Sequence, residues 1–281
     1  AWMGAIVPDK RRGAFFAART RLTMAASLSV FFAGGGILSL TDSIEMTWLG
    51  FSLLFSIAFM GRLTSAWLLW QMHDPEPCPT KVSGYFSQTL YNFKQAWADN
   101  TFKQYSLFVA GMQCMVAISA PFFAVYMLED LQFTYIEFVM ASVASIITQF
   151  ITLRFWGRFS DIYGNRIVML ITSSLIPSLP ILWIFSDSYA YIIALQVLSG
   201  FAWSGFTLST ANYLYDIRPF RSDFATYAAL QAALSAAFVF MGAMVGGVIA
   251  SYAGSFLAFT GLNSWLSSPI FVVFIVSSIM R

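Results

Sequence analysis

Long apolar runs separated by short polar breaks dominate this chain, and the runs are too long and too uniform to be one face of a soluble bundle. A helix crossing the hydrocarbon core of a bilayer needs about 20 mostly apolar residues, because its backbone groups find no partner outside the segment. Eight stretches reach that length, near 22–40, 47–70, 105–128, 135–155, 166–185, 189–211, 224–250 and 256–280. One interval differs in kind. Residues 72–104 carry Asp74, Pro75, Glu76, Pro77 and Pro79, then a polar-aromatic stretch, which no bilayer core accepts. The predicted organisation is therefore two spans over 1–71, a linker over 72–104 and six spans over 105–281. Within the linker, Phe86, Leu90, Phe93 and Trp97 recur at helical spacing among Gln88, Lys94, Gln95 and Asp99. That spacing predicts a short amphipathic helix, lying on a leaflet or packed on the protein's own loops.

Composition agrees with the pattern: 58% of residues are hydrophobic and only 10% charged, which excludes an ordinary soluble domain. The expected class is an all-α polytopic membrane protein with eight transmembrane helices. Charge then orients it, since cytoplasmic loops collect Lys and Arg. Of the 15 basic residues, all but Arg62 map to one side. Lys10, Arg11, Arg12, Arg19 and Arg21 precede the first span, and Lys81, Lys94 and Lys103 lie in the linker. Arg154, Arg158 and Arg166 flank the turn after the fourth span, Arg218 and Arg221 follow the sixth, and Arg281 ends the chain. The opposite loops hold Asp42, Glu45, Glu129, Asp130 and Asp187, with Glu137 at a helix start. Both ends of the segment and the linker are thus expected to be cytoplasmic, in a cell (inner) membrane. Arg62, within the second span, reads as an anchor whose head snorkels to the interface.

Candidate chemistry is sparse. No Asp or Glu falls mid-span, His73 stands too isolated for a metal site, and Cys78 in the linker cannot pair with Cys114 in mid-helix. No phosphate-binding loop, zinc-protease signature or nucleophile elbow occurs. The spans offer amides, hydroxyls and one Arg, so an enzyme is not expected, and neither cofactor nor metal is implied. Nor is a nucleic-acid partner.

Between the fourth and fifth spans lies the run GRFSDIYGNR, from Gly157 to Arg166. Its Gly157, Asp161, Gly164 and Arg166 form a G-x-x-x-D-x-x-G-x-R skeleton, and Arg158 adds a second base. A repeat accompanies it. Pro8 and Arg12 open the helix containing Gly34, Gly35 and Gly36, while Pro219 and Arg221 open the helix containing Gly242, Gly246 and Gly247; Arg and first glycine are 22 residues apart in one copy and 21 in the other. On these motifs the chain resembles the major facilitator superfamily of secondary transporters, along essentially its whole length. Ile162 and Asn165 depart from the family pattern, which often carries bases there. The resemblance assigns the first span to the fifth family helix and the seventh to the eleventh, so the eight spans correspond to helices 5–12 and the segment lacks helices 1–4.

The same resemblance implies roles. The family's hairpin helps hold the cytoplasmic side closed, with its acid near a helix N-terminus of the other half; here Asp161 is that acid, Arg158 and Arg166 its neighbours, and the segment around Arg12 its partner, with Arg221 the repeat counterpart. The family's solute cavity lies near the midplane and is lined by its first, fourth, seventh and tenth helices. That points to Gln113 and Tyr126 on the seventh, with Ser119 and a helix-breaking Pro121 between them, and to Gln196, Trp203, Ser204 and Thr207 on the tenth. Gln149 and Gln231 are further candidates. Each is equally readable as an interhelical hydrogen-bonding or packing group, and the glycine clusters as surfaces of close helix approach. The implied activity is alternating-access transport of a small solute by a monomer in the bilayer; the other reading is a non-transporting member of the fold acting as a sensor or assembly factor.

Overall fold

The computed structural model describes residues 12–71, 93–217, 224–260 and 268–281. Among the described residues there is no strand. The chain divides into two compact units, Ala1–Gly84 with Thr134–Met140, and Tyr85–Phe133 with Ala141–Arg281.

In the first unit, α1 (Arg12–Ser43) and α2 (Thr47–Trp70) form an antiparallel pair. Their tight turn is closed by Glu45 at φ 57° and by Thr47 Oγ1 donating to Asp42 Oδ1 at 3.2 Å. Gly50 of α2 presses on Thr41 and Leu38, so the two backbones meet closely just after the turn. Further along, α2 turns Leu53, Phe55 and Phe59 outward, as a lipid-facing helix does. Arg62 is exposed on the same helix.

The second unit contains α3 (Asn100–Val125), α4 (Tyr135–Tyr163) from Ala141 onward, α5 (Asn165–Leu175), α6 (Ser178–Leu182), α7 (Tyr189–Ile217), α8 (Phe224–Thr260) and α9 (Ile270–Met280). Ahead of α3, residues 93–98 are helical and contain Phe93 and Trp97 of the expected amphipathic helix; Phe86 and Leu90 lie outside the described residues. Asp99 caps α3, its carboxylate accepting from the amides of Thr101 at 2.9 Å and Phe102 at 3.4 Å. α4 opens with a capping box, in which Glu137 Oε2 accepts from Thr134 N and Oγ1, both at 2.9 Å, and Thr134 Oγ1 accepts from Glu137 N.

Among the described residues, seven helical segments are long and apolar enough to cross a membrane. The predicted eighth span, 256–280, does not form as one helix. Residues through Thr260 continue α8, which meets no breaker in 37 residues, and the last helix is the 11-residue α9. The predicted fifth span is likewise divided. Pro177 and Pro180 split it into α5 and α6, because Pro180 supplies no N–H to the Ile176 carbonyl one turn back. Leu179 N fills that acceptor at 3.2 Å. At Pro121 the expected break is displaced: α3 stays in α form to Val125, then widens into a π turn over Tyr126–Asp130.

Packing in this unit rests on glycine at the closest approaches. α8 lies along α3, and a Cβ on Gly242 or Gly246 would collide with the carbonyls of Cys114 and Ile118. On α7, Gly200 abuts the Ser145 carbonyl of α4, and Gly205 faces Trp156 of α4 and Thr172 of α5. The glycine-cluster expectation therefore holds at these positions, whereas Gly36 and Gly247 meet nothing within 4 Å. Trp156 Nε1 donates to the Phe201 carbonyl at 2.9 Å, and the hydroxyls of Thr152 and Ser204 share a 2.7 Å bond. Cys114 is a buried free thiol.

Arg281 is drawn into the helix packing: its guanidinium donates to the carbonyls of Ile176 at 3.3 Å and Val116 at 3.5 Å and to Ser119 Oγ on α3. The cause is positional: Phe274, Ser277 and Ser278 form the buried stripe of α9, and Arg281 continues it at the same helical spacing.

Candidate functional site

In the second unit, α3, α6 and α7 enclose a cavity of about 270 Å³. α3 contributes Val116, Ala120 and Phe123, α6 contributes Leu179 with Trp183 just beyond its end, and α7 contributes Gln196, Ser199 and Trp203. The spacings of three and four residues put each set on one helical face. Gln113 stands one turn before Val116 on the α3 stripe and is partly buried. Gln113, Gln196 and Ser199 make no hydrogen bond among the described residues. The cavity thus joins two indoles and apolar walls with free amide and hydroxyl groups, the composition of a small-molecule pocket. Among the described residues, none that lines it is charged.

Other sequence candidates lie elsewhere. Tyr126 is fully buried, packed against Trp183, Phe271 and Phe274 with ring centroids 6.0, 5.1 and 6.0 Å away. Its hydroxyl donates to Asp187 Oδ1 at 2.8 Å. Gln149, on α4, reaches Ser145 Oγ at 3.5 Å, and the exposed Thr207 hydroxyl bonds back to the Trp203 carbonyl at 2.6 Å. Ser119 accepts from Arg281 and from Ser277 Oγ, the latter at 3.1 Å. Gln231 Nε2 donates to Ser235 Oγ at 3.0 Å, while its Oε1 has no partner.

The charged hairpin occupies the α4–α5 junction. Gly157, Arg158 and Asp161 lie in the last turns of α4, Gly164 makes the turn, and Arg166 lies in the first turn of α5. Gly164 adopts φ 86° and ψ 152°, a conformation essentially confined to glycine. Gly157 is under no such demand, since a Cβ there would meet only Leu208 Cδ2 at 4.0 Å. Arg158, Asp161 and Arg166 are exposed and make no polar contact among the described residues. Asn165, at a position where a base is common in this motif, donates through Nδ2 to Asp216 Oδ2 of α7 at 2.8 Å. The Arg12 side chain and Arg221 lie outside the described residues.

Four ties that sequence reading missed brace both ends of the helices. At one end Tyr105 Oη donates to the Thr210 carbonyl at 2.8 Å, beside Asn165–Asp216. At the other, Ser268 Oγ donates to Asp130 Oδ2 while accepting from Ile270 N at 3.1 Å, beside Tyr126–Asp187. Local sequence carries no signal for pairs more than 50 residues apart.

The model of the Major Facilitator Superfamily matches residues 105–280, which include the cavity, the hairpin and these ties. The chain belongs to the major facilitator superfamily. No curated protein matches it. As a major facilitator protein it is an integral membrane protein of the transporter type. The family match begins within α3 and runs to the end of α9, so the cavity and charged hairpin both lie in the part that carries the family likeness.

Proposed function

We propose that this protein moves a small solute across a cell membrane by alternating access, with the α3–α6–α7 cavity forming one wall of the solute path. The observation that carries this reading is the unbonded amide of Gln196 beside Ser199 and Trp203 in the cavity lining, with the Gln113 amide also unbonded one turn before Val116 on α3. Buried polar groups in a membrane helix ordinarily find partners; these are open to a ligand. The lining favours an uncharged or amphipathic solute. Pairwise ties at both ends let the second unit rock as one body, the motion alternating access requires. Asp161, Arg158 and Arg166 belong to the gate on the basic side, which we assign to the cytoplasm under the charge rule, with Arg12 and Arg221 as their counterparts.

Single-cysteine labelling of the full-length protein tests this. In a Cys78→Ser/Cys114→Ser background, Ser199→Cys is exposed to a membrane-impermeant maleimide from each side of sealed vesicles. Labelling from both sides, each blocked when the opposite side is held open, is the expected result. Labelling from one side alone under all conditions overturns alternating access and favours a sensor or assembly role.

A further inference from the structure

Away from the cavity, one face of α4 forms an open groove of about 350 Å³ lined by Ile151, Arg154, Phe155, Arg158, Phe159 and Ile162. Arg154 and Arg158 stand one helical turn apart, both exposed and neither bonded to any group among the described residues. Asp161 is only three residues from Arg158, yet it forms no ion pair with it. Two arginines on one helix face, their backbone positions about 6 Å apart along the axis, form a fork suited to a phosphate, which arginine binds bidentately.

What lies toward the membrane interior decides the class of ligand. Ile147, Ile151 and Phe155 continue the same face at 44%, 66% and 51% exposure. From Ile147 to Arg158 the helix rises about 16 Å, close to half the roughly 30 Å thickness of a bilayer core. An occupant must therefore offer an anionic head at the arginines and an apolar body reaching one leaflet deep. A free anion has no use for the stripe, and a purely apolar helix leaves the arginines unpaired. We propose that this face is a binding site for an anionic phospholipid, with its phosphate on Arg154 and Arg158 and an acyl chain along Phe155, Ile151 and Ile147. The site adjoins the charged hairpin but uses neither Asp161 nor Arg166, and it does not depend on what the protein transports.

The test uses the full-length protein in mixed micelles, with phosphatidylglycerol and phosphatidylcholine of identical acyl chains, and retained lipid counted by native mass spectrometry. Wild type is expected to retain phosphatidylglycerol preferentially. Arg154→Gln/Arg158→Gln is expected to weaken that retention about thirtyfold, from about fivefold per surface arginine, while Arg166→Gln changes it little. Arg154→Lys/Arg158→Lys, which keeps the charge, is expected to retain part of the preference and guards against misfolding as the cause. An absence of preference in the wild type would mean that another protein segment covers the face. Equal losses in Arg166→Gln would reduce the effect to general surface charge, and full displacement by inorganic phosphate would make the site one for free anions. Each of these three results overturns the proposal.

Discussion

The Tyr126 hydroxyl donates a 2.8 Å hydrogen bond to Oδ1 of Asp187, 61 residues further along the chain. The two ends of this bond differ: the Tyr126 ring is 1% exposed, whereas Asp187 lies in an exposed turn ahead of α7. Removing either partner therefore has unequal consequences. Tyr126→Phe leaves the carboxylate to water and is expected to cost about 1 kcal/mol; Asp187→Ala strands a buried hydroxyl and is expected to cost about 1–3 kcal/mol. Melting temperatures in detergent check the order, and a larger loss for Tyr126→Phe contradicts it.

The two hairpin glycines separate in the same assay. Gly164→Ala must hold φ 86° and ψ 152° with a side chain present, at about 1–3 kcal/mol. Gly157→Ala adds only an ordinary contact with Leu208 and is expected to leave stability unchanged. If Gly157→Ala nevertheless impairs function at normal stability, that glycine serves a contact made during gating.

Close approach of α8 to α3 predicts a graded series. Gly246→Val drives side-chain atoms into the Ile118 carbonyl and is expected to cost at least about 1–3 kcal/mol, the range for overpacking. Gly247→Ala, with nothing within 4 Å, serves as the neutral neighbour. Comparable melting temperatures for the two variants would show that the helices can separate freely.

At Arg281 the forked head reaches three acceptors on two other helical segments. Arg281→Lys keeps the charge but loses the fork, whereas Arg281→Met removes the desolvated charge as well. Lys is accordingly expected to be the more destabilising of the two. Thermal unfolding of both variants decides the sign, and a Lys variant as stable as wild type would show that charge alone suffices.

In the cavity and one turn beyond it on α3, Gln196→Leu and Gln113→Leu break no hydrogen bond among the described residues. Both are expected to unfold within about 0.5 kcal/mol of wild type while lowering solute flux in a reconstituted uptake screen. Unaltered flux in both would remove the amides from the solute path.

The apolar runs by themselves determined the class of this protein and most of its segments. The stretch predicted at 47–70 is α2, Thr47–Trp70, and the motif glycines, acid and bases fall at one helix junction as their spacing implied. A bilayer imposes this legibility, because a spanning backbone must satisfy its own hydrogen bonds over a fixed length. Segment ends were less visible where no breaker marked them, as when α8 ran on to Thr260. What only the tertiary structure decided is which side of each helix is the inside. Lipid and protein interior are equally apolar, so a Gln on a cavity and a Gln on a seam look alike in sequence: Gln196 meets the cavity, whereas Gln231 bonds along its own helix. Tyr126 found an aspartate and Arg281 a broken helix for the same reason, since their partners are distant in the chain and become neighbours only when the helices pack.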